Sequence, residues 1–129
     1  MSNELLYKKL LDVDEAIKKI NGSFDKINKP EDFLMNQDTF DKLDAISMRL
    51  QAIGEVIKKV SKDFPEILNK YSKVDWKGAI NFRDKISHHY FDIDAEEIFK
   101  ICENHIPLLE SAVKKILTDI ENKINKTKT

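Results

Sequence analysis

Apolar side chains recur along this chain at spacings of three and four, and the recurrences fall into separate blocks. Leu6, Leu10, Val13, Ile17 and Ile20 form the first, with Lys and Asp filling the gaps. That period predicts an amphipathic helix from Ser2 or Asn3 to about Ile20, stopped by Asn21-Gly22. Residues 23–37 are irregular. Pro30 before Glu31 and Asp32 suits the start of a short helical turn, with Phe33 and Leu34 tucked onto the core. Phe40, Leu43, Ile46, Leu50, Ile53, Ile57 and Val60 mark a second long helix, capped by Asn36 or Asp38. Gly54 falls inside it, where glycine costs about 1 kcal/mol relative to alanine. A close approach by another helix accounts for that residue.

Phe64-Pro65 ends the second pattern, and a short helical piece is expected over 66–71. Asp75 is then a suitable cap for a third helix carrying Trp76, Ala79, Ile80, Phe82 and Ile86 and reaching Ser87 or His88. Phe91-Asp92-Ile93-Asp94 breaks the period. Asp94 with Glu97 three residues on is similar to a capping box. Ile98, Ile101, His105, Leu108, Ala112, Ile116 and Ile120 follow as a fourth stretch. Pro107 lacks the amide that would reach residue 103, which predicts a kink or a split there. Residues 1–4 and the lysine-rich end over 122–129 are expected to fray. The whole pattern predicts an all-α fold: an up-and-down helical bundle of three long amphipathic helices plus a shorter motif helix, in one domain over 1–129.

Composition narrows this further. Three Gly and three Pro supply few turns for an all-β alternative. With 22 Lys+Arg against 23 Asp+Glu the formal net charge is −1, so a chain-wide basic field for nucleic acid is absent and only local patches remain. Cys102 is the one cysteine. It precludes an intrachain disulfide and a cysteine-based zinc site, sits at an apolar helical position as core filler, and suits a reducing cytoplasm. The N-terminal segment is charged throughout, unlike a signal peptide. No stretch approaches the ~20 apolar residues that a membrane span needs.

One stretch gathers the chemistry: Arg83-Asp84-Lys85-Ile86-Ser87-His88-His89-Tyr90. A basic helix end can simply favour the helix dipole, and Tyr90 can simply pack. The residue types also allow more. Arginine is a permanently charged planar fork for phosphate. His88 or His89 can move protons near neutral pH. Together they suffice for metal-independent RNA cleavage, in which a histidine takes the ribose 2′-hydroxyl proton or protonates the leaving oxygen while the arginine stabilises charge on the phosphorus oxygens. Asp84 lies one turn before His88 and can orient its ring. Arg83 and His88 are five apart, and on an ideal helix their directions differ by roughly 140°. They share a site only if the helix ends near Ser87 or if two copies pool their motifs in one cleft. The second route favours a homodimer. It would also double a local excess in which Lys70, Lys73, Lys77, Arg83 and Lys85 face only Asp75 and Asp84. The histidines lack the spacing of a helical zinc site, and His105 reads as a satisfied core or boundary residue. Neither a Gly-rich phosphate loop nor a Gly-flanked serine elbow is present.

Arg83, four residues, His88, one residue and Tyr90 match the Arg-x4-His-x-Tyr motif of the HepT-like branch of the HEPN superfamily, which this sequence resembles. Residues 50–55 (LQAIGE), Val74-Asp75-Trp76, residues 89–94 (HYFDID) and Glu103-Asn104-His105-Ile106-Pro107 look like the same branch, so the resemblance spans about residues 5–118. It implies an all-helical HEPN domain that forms a two-fold homodimer and acts as a metal-independent endoribonuclease toxin, without a cofactor, in a prokaryotic cytoplasm. Arg83 and His88 are then the catalytic pair. His88 is preferred to His89 because it keeps the His-x-Tyr spacing and the one-turn relation to Asp84. Asp84, Glu55 and His89 take supporting places. The resemblance further implies a type VII-like toxin–antitoxin module, in which an MntA-like nucleotidyltransferase antitoxin moves AMP from ATP onto the motif tyrosine, here Tyr90. The alternative is a non-catalytic HEPN binding module that partners a nucleotidyltransferase through the same residues.

Overall fold

The computed structural model describes residues 3–86 and 94–128. The expectations for Ser87, His88, His89, Tyr90, Phe91, Asp92 and Ile93 therefore lie outside the described residues. Everything described is helix, turn or connection. Three long helices carry the fold: α1 (Asn3–Phe24), α2 (Gln37–Asp63) and α7 (Ile106–Lys128). Between them stand a 3-10 turn at Pro30–Leu34 and four short helices: α3 (Pro65–Lys70), α4 (Trp76–Ile80), α5 (Phe82–Ile86) and α6 (Ala95–Lys100). A π turn, Ile101–His105, joins α6 to α7. The all-α bundle read from the sequence is the observed class. α1 packs against both α2 and α7, while α2 carries the short helices α3, α4, α5 and α6 along its length.

The periodic residues of α1 and α2 are buried almost without exception, and together they seed one continuous core. Phe40 is the exception. It stands 43% exposed on the first turn of α2, and the buried stripe begins at Leu43. At the 3-10 turn, Phe33 is buried but Leu34 points outward. The capping expectations hold. Asn36 Oδ1 accepts from Thr39 N at 3.0 Å, and Asn36 N donates to Thr39 Oγ1 at 3.2 Å. Asp75 accepts from Gly78 N at 2.8 Å, and Asp94 from Glu97 N at 3.1 Å.

Two helix boundaries differ from the sequence expectation, the first for a packing reason. α1 runs through Gly22 to Phe24. The Phe24 ring lies 5.2 Å from Phe99 and 6.3 Å from Phe33, centroid to centroid. Two aromatic pairs at about 0.5–1.5 kcal/mol each offset the roughly 1 kcal/mol that an internal glycine costs. The third helix is interrupted at Asn81, giving α4 and α5 in near succession, with Lys85 N still donating to Asn81 O at 3.2 Å.

Pro107 does disturb the fourth stretch, and the form of the disturbance matters. A π turn closes i→i+5 and rotates the chain less per residue than an α turn. Over the next two turns the apolar stripe is therefore displaced by one position, while Ile116 and Ile120 are buried as read. Ile106, Leu109 and Val113 face the core, whereas Leu108 is 60% exposed and Ala112 only half-buried. Beyond it the backbone stays helical as far as Lys128.

At Gly54, α2 and α4 pack backbone against backbone. A Cβ added there would lie 2.8 Å from the Ala79 carbonyl oxygen and 3.1 Å from that of Ile80. Both obstacles are backbone, so α4 itself would have to shift. Gly54→Ala is accordingly expected to lower stability by about 1–3 kcal/mol, the usual cost of overpacking, despite alanine's better helix propensity. Chemical denaturation measures this, and a neutral or stabilising result would contradict the contact.

Candidate active site

The described part of the motif is α5. Phe82 and Ile86 are buried one residue before and three residues after Arg83, so the helix is held in the core on one side. Arg83 and Asp84 take the exposed side, with Lys85 between the two faces. α5 rests on α2, the helix that carries Glu55. Glu55 follows Gly54 directly and is exposed, so it leaves α2 at the level where α4 crosses. There it lines an open cavity of about 500 Å³ together with Lys58, Lys59, Ser61 and Lys62. The structure thus places Arg83, Asp84 and Glu55. His88, His89 and Tyr90 lie outside the described residues.

Local sequence explains why α4 and α5 sit where they do. A Cβ at residue 78 would fall 2.3 Å from Asp75 Oδ2, so glycine leaves room for the capping carboxylate to fold over the first turn of α4. Upstream, the Trp76 indole Nε1 donates to the Tyr71 carbonyl at 2.8 Å. The Tyr71 hydroxyl in turn donates to Asp119 on α7. Burial, with the Asp119 hydrogen bond and charge added, pushes the Tyr71 phenol up to about 12, so it remains a neutral donor. These bonds fasten the segment before the motif to α7.

His105 is the site residue whose role the sequence understated. Its ring lies 4.9 Å from Phe82 in an edge-on arrangement, directly behind the arginine helix. It stands at a core boundary, as expected, but Nε2 is buried without a hydrogen-bond partner among the described residues. Burial lowers its pKa, and Lys85 acts in the same direction. The Asp75 charge and a hydrogen bond to the Asp75 backbone pull the other way. An unpartnered ring nitrogen cannot be seen in periodicity. The available signal was a histidine next to Pro107, where the helix must change its pitch. Cys102 is buried, and desolvation pushes its thiol up to about 12, consistent with core filler. Among the described residues, no group of three or more His, Cys, Asp or Glu side chains is placed to hold a metal ion. No helix among the described residues is long and apolar enough to cross a membrane.

The family described as "Ribonuclease HepT-like" matches residues 13–116, a span containing all of α2 to α6 and the whole motif. The chain belongs to the HepT-like ribonuclease family. A Methanocaldococcus jannaschii protein named provisionally as an RNase is 42% identical over 77 residues, which is 60% of this chain and 61% of that protein. A Caldanaerobacter subterraneus subsp. tengcongensis protein with the same kind of name is 43% identical over 68 residues, 53% of this chain and 58% of its own. A Thermococcus cleftensis protein named as a probable ribonuclease HepT is 31% identical over 107 residues, 83% of this chain and 91% of its own. The match thus spans about three-fifths of the length of the first two relatives. No solved structure matches the chain. The HepT-like membership agrees with the family resemblance read from the sequence and with an all-helical fold.

The buried ring behind α5 has a measurable consequence. His105 has its folded pKa below the ordinary 6.5, so the unfolded chain binds the proton first as pH falls. Its neutral form supports the fold above about pH 6.5, and that contribution is lost as pH drops through the lowered folded value. Between pH 7.5 and 5, wild type should lose more stability than His105→Gln. Parallel denaturation curves for the two proteins across that range would refute it.

Proposed function

We propose that this HepT-like protein is a metal-independent endoribonuclease toxin, working as a homodimer, with Arg83 and His88 as its catalytic pair. The observation that carries this reading is the placement of Arg83. It stands exposed on a helix locked into the core by Phe82 and Ile86, inside the span that matches the ribonuclease family. An arginine anchored in this way can meet phosphate without first paying to order its backbone. In the reaction, a histidine imidazole takes the ribose 2′-hydroxyl proton, and the 2′-oxygen attacks phosphorus. The bond to the 5′-oxygen breaks as that oxygen gains a proton, leaving a cyclic phosphate and a 5′-hydroxyl. Arg83 stabilises the charge that grows on the non-bridging oxygens. Asp84 orients His88. Glu55 supports the arginine from α2, and His89 contacts RNA or solvent.

The regulatory half of the proposal concerns Tyr90. An MntA-like nucleotidyltransferase antitoxin transfers AMP from ATP to its hydroxyl and releases pyrophosphate. Each AMP adds bulk and negative charge two residues from His88, in a cleft meant for a polyanion, so RNA is repelled and blocked.

Arg83→Ala and His88→Ala should each reduce RNA cleavage by about 10²–10³-fold while leaving the helical fold unchanged. Gel assays on a labelled RNA, with circular dichroism alongside, give the readout. Equal activity in all three proteins would sink the catalytic assignment and leave the docking reading, in which the motif binds a nucleotidyltransferase without cutting. Intact mass after incubation with the antitoxin and ATP should rise in AMP-sized steps, and Tyr90→Phe should abolish the rise.

A further inference from the structure

Away from Arg83, the turn between α3 and α4 and the outward side of α7 enclose a cavity of about 360 Å³. Three lysines line it: Lys70 and Lys73 from the turn and Lys115 from α7. Ser72 and Ser111 add hydroxyls, and Val74, Leu108 and Ala112 supply an apolar wall. The described lining contains no carboxylate. Its polar and apolar parts match the two ends of a nucleotide, a phosphate to be neutralised and a base to be covered.

The cavity is built rather than incidental. Its α7 wall exists because the π turn displaces the apolar stripe, turning Leu108 and Ala112 outward in place of Leu109 and Val113. The opposite wall is braced: Tyr71 donates to the Asp119 carboxylate on α7, and Lys70 lies over the Tyr71 ring at 5.6 Å. Both walls connect to the motif. Tyr71 is hydrogen-bonded through its carbonyl to Trp76, the first residue of α4. Leu108 lies one helical turn, about 4.5 Å along the axis, beyond His105, whose ring touches Phe82 beside Arg83.

We infer that this cavity is a second subsite for single-stranded RNA, holding a nucleotide away from the bond that is cut. Its phosphate meets Lys70, Lys73 and Lys115, and its base lies against Leu108 and Val74. The choice of RNA rests on the ribonuclease reading; the cavity's preference for a nucleotide rests on its lining. A net-acidic chain then gains substrate affinity from a site remote from its catalytic groups, which favours longer strands over short ones.

The test compares wild type with the triple variant Lys70→Gln/Lys73→Gln/Lys115→Gln and with a charge-matched control, Lys8→Gln/Lys19→Gln/Lys26→Gln, on exposed lysines elsewhere. Binding of a fluorescent single-stranded RNA is followed by anisotropy across salt concentrations, and cleavage is measured on a long RNA and on a dinucleotide. The triple variant should bind the long RNA at least about tenfold more weakly. Its log–log salt slope should be shallower by about 0.7, for the one phosphate that the three lysines neutralise. KM should rise on the long RNA and stay unchanged on the dinucleotide, with the control close to wild type. Equal losses in both triple variants, or none in either, would overturn the subsite. Wild type that binds RNA through these lysines without cutting it would sustain the subsite and reject the nuclease; wild type that cuts with the triple variant unimpaired would do the reverse.

Discussion

Everything the motif needs depends on how closely α4 can approach α2. At Gly54 there is no room for even one methyl group, because the Ala79 and Ile80 carbonyls occupy the place where it would go. This contact sets the depth of α4, and α5 follows within two residues, with Phe82 and Ile86 in the core and Arg83 outside. A larger residue at 54 would therefore move the arginine as well as loosen the bundle. Close-packed interiors transmit such displacements instead of absorbing them. The same crossing explains why a residue that weakens an isolated helix stands in the middle of the longest one.

Much of this was legible from periodicity. The stripes of α1 and α2 are buried in the register read from spacing alone, and Asn36, Asp75 and Asp94 cap where their side chains suggest. Legibility failed where tertiary contacts outweigh local preference. Gly22 stops a helix in isolation, but Phe24 beyond it has two aromatic partners outside the helix, Phe33 and Phe99. Phe40 keeps the helical period yet lies outside, since periodicity reports direction and not whether anything stands in that direction. Of the candidate site residues, Arg83 and Asp84 were nameable from type and spacing and Glu55 only from the family resemblance, whereas the surroundings of the His105 ring come from elements apart in sequence.

The π turn shows how a local rule propagates. Pro107 removes one amide donor, and the chain responds by widening a single turn before it. The reading through Leu108 and Ala112 treats the helix as uniform and so places the core stripe one residue early. The widened turn carries Leu109 and Val113 inward and Leu108 outward, and it also sets the His105 ring against Phe82. One missing hydrogen-bond donor thereby shapes both the support behind the motif helix and the wall of a neighbouring cavity.

Charge is distributed by the same logic of contacts. A formal net charge of −1 gives no reason to expect affinity for a polyanion. What matters is which acidic groups are already engaged near the basic ones. Asp75 is folded over the start of α4, Asp119 accepts from Tyr71, and Glu110 meets both Lys114 and Asn21. Each of these carboxylates is directed toward a partner within the fold. The lysines of the turn before α4 and of the outer side of α7 line a shared cavity instead. A nearly neutral chain can in this way present a positive surface on one side without a positive total, because the fold decides where its negative charges point.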